Sequence, residues 1–253
     1  MKKNIILLLI LLPGMLSCTD TTGSNLRKNV TTNDAVHANI NLGVEYMRVG
    51  SYEKALDRLE RARQIDPGYY ETYNMLGMLY QQLGEMDDAD RSFRKALSLN
   101  SNDPSTLNNY GQLMFTMKQY DRAIELFMRA ASNPLYETPE IAYYNAGRCA
   151  QAKNDLTAAE KYYRRALELN KTMSEALIRM SELSYENKNY LSARGYLERY
   201  LENARHTAKS LWLGIQIEQK LGDTDAVSSY ALLLRNTFPD SKEAALLEQS
   251  GVR

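Results

Sequence analysis

The stretch LGMLYQQLGEMDDADRSFRKALSLN, residues 76–100, decides the fold of this chain of 253 residues. The small and aromatic residues that recur from it are Gly77, Ala89, Phe93 and Ala96. The same pattern begins 34 residues earlier, at Gly43, and 34 residues later, at Gly111. Such a period indicates stacked helical hairpins, because one hairpin alone cannot bury its apolar face.

Six units can be aligned, four closely and two loosely, with a shift of two residues before the fourth. They are headed by Leu42-Gly43, Leu76-Gly77, Tyr110-Gly111, Ala146-Gly147, Met180-Ser181 and Leu213-Gly214. Period and pattern resemble the tetratricopeptide repeat (TPR). The resemblance implies an all-α fold, a right-handed superhelix of about six helix-turn-helix repeats. We expect four recurring alanines to be buried where two helices meet: Ala55, Ala89, Ala123 and Ala159.

The turns and helix starts carry their own predictions. Four residues that accept a left-handed backbone should end first helices: Gly50, Gly84, Asn154 and Gly222. Ser51 and Asp155 are expected to cap second helices.

The N-terminus has the pattern of a secretion signal. Two lysines precede the apolar run Ile5 to Leu12, which is too short to span a membrane as a stable helix. The segment Met15-Leu16-Ser17-Cys18 then resembles a bacterial lipobox, although Met15 stands where Leu is usual. We therefore expect a lipoprotein signal peptide at 1–17 and acylation of Cys18, for instance with palmitate. The alternative is an ordinary signal peptide that happens to contain a cysteine.

The polar composition of residues 18–33 predicts a flexible tether. The TPR array should follow at 34–239, with a capping segment at 240–253. Because Thr19 rather than Asp follows the cysteine, resemblance to lipoproteins of diderm bacteria favours the outer membrane, on its periplasmic face.

Composition argues against catalysis and nucleic-acid binding. Basic and acidic residues balance at 31 each, and no basic run is longer than a pair. The two histidines, His37 and His206, lie far apart, and no zinc, phosphate-loop or nucleophile motif occurs. Cys149 should be a structural packing residue. We expect no enzyme activity, cofactor, metal or small-molecule substrate.

First helices of a TPR array line its concave face, so their side chains are candidates for binding a partner protein. The candidates are Ile40, Val44, Met47, Asn74, Met78, Asn108, Gln112, Phe115 and Tyr144. We expect the apolar members to lie exposed in the groove; the alternative for them is packing against neighbouring helices. Asn74 and Asn108, one repeat apart, could bond an extended peptide backbone and should not occupy packing positions.

Several longer segments carry a more specific resemblance. They are Asn133-Pro134-Leu135-Tyr136, Asn145-Ala146-Gly147-Arg148-Cys149-Ala150, Ala193-Arg194-Gly195-Tyr196-Leu197 and Ser210-Leu211-Trp212-Leu213-Gly214. With the signal and tether, they resemble the PilW/PilF family of type IV pilus biogenesis lipoproteins. The resemblance implies a pilotin, an outer-membrane lipoprotein that helps the secretin subunit reach that membrane and form multimers. Two alternatives stay open: a lipid-anchored scaffold for another secretion or cell-wall assembly, and an accessory subunit of an envelope hydrolase.

Overall fold

The computed structural model describes residues 21–251, with side chains from residue 32 onward. The described part is all helical. The helices are α1 Thr21–Arg48, α2 Tyr52–Ile65, α3 Tyr70–Leu83, α4 Met86–Leu99, α5 Pro104–Thr116, α6 Tyr120–Ala131, α7 Pro139–Ala152, α8 Leu156–Leu169, α9 Ser174–Glu186, α10 Tyr190–Asn203, α11 Ala208–Leu221, α12 Thr224–Thr237 and α13 Lys242–Gln249. They form six helical hairpins followed by one short helix, which confirms the expected all-α TPR architecture.

Each hairpin closes on a small residue of its first helix. A Cβ added at Gly77 would lie 2.8 Å from the Phe93 ring, and one at Gly147 would lie 2.5 Å from the Tyr163 ring. The recurring alanines of the second helices complete these contacts, and all four are fully buried, as predicted: Ala55, Ala89, Ala123 and Ala159. The period in the sequence therefore reflects one close helix–helix contact repeated along the chain.

The fifth hairpin departs from this glycine contact. Ser181 takes the place of the glycine, and it is fully buried. Its hydroxyl donates to the backbone carbonyl of Ala193 at 2.8 Å, so the buried oxygen has a partner across the hairpin. A hydrogen bond thus substitutes for part of the close packing that glycine permits elsewhere.

One residue with a positive φ ends every first helix. The four predicted residues have it, and so do Lys118 and Lys188, both with φ of 60°. Each lysine lies one repeat from a glycine or asparagine that accepts this conformation easily. The lysines adopt it too, because the chain reverses direction at the same place in every hairpin. Among the predicted caps, the Asp155 side chain accepts from the Ala158 N–H at 3.0 Å, whereas Ser51 makes no side-chain cap bond.

The first helices lie on the inner side of the array. Successive first helices contact one another, α1 with α3, α3 with α5, α5 with α7 and α9 with α11, whereas no pair of successive second helices from α2 to α12 makes a comparable contact. The helix α13 packs on α11 and α12 through Ala244 and Leu247, and so covers the last hairpin.

The shift of two residues between the third and fourth repeats lies in the connection from α6 to α7. There the Asn133 side chain donates to the Asn102 carbonyl at 2.8 Å and accepts from the Leu135 N–H at 2.9 Å. Leu135 itself is 84% exposed, while Tyr136 is partly buried against the neighbouring cluster. The extra residues therefore form an ordered corner that presents one leucine to solvent.

The N-terminal segment differs from its prediction in part. The helix α1 begins at Thr21, so residues 21–33 of the expected flexible tether are helical. Once a helix is nucleated, each added residue gains a hydrogen bond, and Leu26, Arg27 and Lys28 are good helix formers. The expected signal peptide and Cys18 lie outside the described residues. No helix within residues 21–251 is long and apolar enough to cross a membrane.

Candidate functional site

The inner surface of the first helices, here called the groove, holds the candidate binding residues, but three of them are buried. Ile40 is 5% exposed, Met47 8% and Asn74 3%. The expectation that Ile40 and Met47 lie exposed in a groove is wrong, because both pack in the cluster that joins α1, α2 and α3. The expectation that Asn74 avoids a packing position is also wrong.

The remaining candidates reach the surface. Val44 is 38% exposed, whereas five others are partly buried: Met78, Asn108, Gln112, Phe115 and Tyr144. Phe115 and Met78 also pack on the cluster that joins the second, third and fourth repeats. These six side chains can therefore be reached by a partner, while part of each supports the fold.

A pair of asparagines links each of two successive repeat junctions. The Asn109 Nδ2 group donates to Asn74 Oδ1 at 3.1 Å, and the Asn145 Nδ2 group donates to Asn108 Oδ1 at 3.2 Å. We call these two pairs the amide ladder. In each pair, the donor lies one residue further along its repeat than the acceptor does in the preceding repeat. The side-chain oxygens of Asn74 and Asn108, which we expected to bind a peptide backbone, therefore already accept hydrogen bonds within the ladder.

Arg148 lies where the ladder ends. Its guanidinium lies 4.5 Å from the ring centre of Phe115 and 5.9 Å from that of Tyr144. Its Nη1 group donates to Oε1 of Gln112 at 3.4 Å and to Oδ1 of Asn145 at 3.3 Å. All four partners are neutral, so the fork of the guanidinium is positioned by rings and amides rather than by an acid.

The groove changes in chemistry along its length. One position of the first helix, taken at the repeat spacing, is occupied in turn by Val44, Met78, Gln112, Arg148 and Glu182. The surface therefore passes from apolar to amide and then to charged. A small depression of about 280 Å³ lies in the amide part, lined by Met78, Gln81, Gln82, Asn109 and Gln112.

Three residues of this surface escaped the sequence-based prediction: Asn109, Asn145 and Arg179. Arg179 pairs with Glu182 at 2.7 Å and lies beside Tyr144. The ladder joins positions that differ by one between adjacent repeats, so a strict 34-residue alignment does not bring them together. Their polar character at a first-helix position was the only available signal.

The electrostatics of the described residues do not point to chemistry. Burial raises the pKa of the Cys149 thiol to about 12, which keeps it protonated and unreactive. Burial likewise raises the pKa of the Tyr110 and Tyr136 hydroxyls. In the part of the chain that the structure describes, no cluster of His, Cys, Asp or Glu could hold a metal ion.

Comparison with known proteins agrees with the architecture. Family models of the tetratricopeptide repeat match residues 68–133 and 141–173. Together with six hairpins around an inner groove, this defines the chain as a TPR protein, a class that presents surfaces for binding other proteins.

Over nearly its whole length, the chain is homologous to type IV pilus assembly protein PilF of Pseudomonas aeruginosa. The two are 29% identical over 238 residues, which is 94% of each chain. A solved structure of that PilF superimposes with a TM-score of 0.80 at 29% identity, covering 87% of this chain and 99% of the other. A crystal structure of PilW, a widely conserved type IV pilus biogenesis factor, gives 0.74 at 28% identity, covering 84% and 97%. Over nearly its whole length, the chain is therefore similar to TPR proteins of type IV pilus biogenesis.

Proposed function

We propose that this protein is a pilotin: an outer-membrane lipoprotein that holds the secretin subunit of the type IV pilus machinery while secretin multimers assemble. The observation that carries the proposal is the similarity to PilF over 94% of both chains. This match extends beyond single repeats and over the full array. A lipid anchor at Cys18 would fix the protein on the periplasmic face of the membrane.

The physical logic of the proposal is confinement. An acylated Cys18 and the segment that follows would restrict the array to a thin layer beside the membrane. A client held in the groove would then meet other clients at a raised effective concentration, without any new contact between them. Such a role needs retention of the client and no bond chemistry.

The decisive experiment is the amount of secretin multimer in cells that lack this protein. We expect the heat-resistant multimer on gels to be lost or strongly reduced, with the secretin monomer still made, and expression of the wild-type protein to restore it. Normal multimer in the deletion strain would refute the proposal and favour another envelope assembly.

A matched pair of variants tests whether the groove holds the client. Val44→Glu places a charge at the apolar end of the groove, at a position already 38% exposed, so folding should be retained. Leu232→Glu makes the same type of change on the second helix α12, at a position 60% exposed. We expect Val44→Glu to lower multimer levels and Leu232→Glu to preserve them. Equal behaviour of the two variants would mean that the client binds outside the groove.

The anchor is tested separately by Cys18→Ala. We expect this variant to leave the outer-membrane fraction or to accumulate unprocessed, whereas Cys149→Ala should fractionate like wild type. Mature wild-type protein recovered free in the periplasm would contradict acylation.

A further inference from the structure

Arg148 is a groove cation that lacks an acidic partner among the described side chains. No carboxylate among the side chains of residues 32–251 forms an ion pair with it, whereas the neighbouring Arg179 is paired with Glu182 at 2.7 Å. Because Arg148 is partly buried between two rings, its charge has lost some hydration without gaining an anion. The centre of the groove therefore carries one net positive charge from these three residues.

The guanidinium is also geometrically prepared for an acid. Only its Nη1 group is used by Gln112 and Asn145, which leaves the donors of Nε and Nη2 without a described partner. A planar fork held beside two aromatic rings matches the two oxygens of a carboxylate, and pre-positioning reduces the entropy lost on binding.

We propose that Arg148 is a specificity-determining residue of the groove, which binds the carboxylate of an Asp or Glu side chain within an extended segment of the partner protein. The inference rests on the proposed function only in taking the groove as the client surface. The amide-lined depression beside Arg148 supplies donors and acceptors for the backbone of that segment, and Val44 and Met78 supply apolar contacts farther along.

An internal side chain fits better than a terminal carboxylate. The groove continues past Arg148 to the Arg179–Glu182 pair, so a chain that ended at Arg148 would leave this part of the surface uncovered. Arg179 is already paired with Glu182, so this part of the groove offers no unpaired cation to a second acid one repeat farther on. The expected segment therefore has apolar residues, one acidic residue and then residues that are not acidic.

The test uses the full-length protein in mild detergent and a library of random peptides displayed on phage. We expect peptides selected on the wild type to be enriched in one Asp or Glu at a fixed distance from apolar residues, and this enrichment to vanish with Arg148→Gln. Arg165→Gln is the matched control, since Arg165 lies on the second helix α8 and pairs with Glu168. The control should retain the enrichment.

A selected peptide then allows a double-mutant cycle. Replacing its acid by the amide should weaken binding to the wild type by about tenfold to a hundredfold, and should have little effect on Arg148→Gln. Should Arg148→Gln fail to fold, Arg148→Lys replaces it, and the peptide exchange on the wild type still reports the acid preference. Equal losses on both proteins, selection without acids, or no selected peptides would overturn the inference.

The outcome is separable from that of the proposed function. Normal secretin multimers in the deletion strain combined with an acid preference that depends on Arg148 would leave the inference intact and assign the groove another client. Lost multimers without an acid preference would leave the pilotin role intact and remove Arg148 from recognition.

Discussion

Substituting Gly147 by alanine tests the close contact on which each hairpin depends. The added Cβ would lie 2.5 Å from Cε1 and 2.6 Å from Cδ1 of Tyr163, well inside contact distance. The ring has little freedom to move, because Tyr163 is fully buried and its hydroxyl donates to Gln151 at 2.8 Å. Overpacking of this kind costs about 1–3 kcal/mol, and a severe clash against a fixed ring belongs at the upper end.

The gain in helix propensity opposes this cost. Alanine is better than glycine in a helix interior by about 1 kcal/mol, so the net loss for Gly147→Ala should be about 2 kcal/mol. For a chain of this size that lowers the melting temperature by roughly 4–8 °C. Gly195→Ala in α10 is the matched control, since nothing lies within 4 Å of its added Cβ, and it should stabilise the protein by about 0.5–1 kcal/mol.

Thermal and urea unfolding followed by circular dichroism measure both variants. Melting of Gly147→Ala at or above the wild-type temperature, with Gly195→Ala stabilised as expected, would show that the Tyr163 ring moves freely and that the contact does not limit stability.

Three further predictions concern buried polar groups. Thr72→Ala should stabilise the protein by about 1 kcal/mol in urea unfolding, because the Thr72 hydroxyl is buried without a hydrogen-bond partner among the described residues. The control Thr106→Ala removes a hydrogen bond to Asp103 and should destabilise the protein. A Thr72→Ala variant less stable than Thr106→Ala would contradict the assignment. Cys149 should resist alkylation by iodoacetamide at about pH 8 in the folded protein, because burial raises the pKa of its thiol to about 12, and it should react fully in denaturant. Labelling of Cys149 in the folded protein, located by mass spectrometry, would argue against burial. Arg194→Ala should lower the free energy of unfolding by about 2–3 kcal/mol, because it leaves the 4% exposed Glu218 side chain without its cation. Removing both charges by Arg194→Met with Glu218→Leu should cost less stability. Equal losses in the two variants would show that the pair is not coupled.

Most of the fold was predictable because it depends on one helix–helix contact whose residues recur at a fixed spacing in the sequence. Gly77 and Phe93 recur as Gly111 and Phe127 at the repeat spacing, and the alanines around them are buried as expected. The left-handed turns were predictable only where glycine or asparagine marks them. At Lys118 and Lys188 the residue type carries no such mark, and only their position relative to Gly84 and Gly222 identifies them.

The site was less predictable because exposure and side-chain pairing depend on the offset between repeats. Asn74 and Asn108 are equivalent in the repeat, yet Asn74 is buried while Asn108 is partly exposed. Their partners, Asn109 and Asn145, belong to a different position of the repeat, which the superhelix brings into contact. A period in the sequence fixes which residues are equivalent, but it does not fix which of them meet.

The amide ladder has a mechanical consequence for the array. It joins neighbouring repeats along the inner side, whereas the outer helices make no comparable contacts with one another. Each such bond contributes about 0.5–1.5 kcal/mol, close to thermal energy, so single rungs open and close readily. We therefore expect the array to straighten at low energetic cost where one of these bonds opens. A peptide backbone that replaced a rung would change the resting curvature and, through it, the width of the groove at the next repeat.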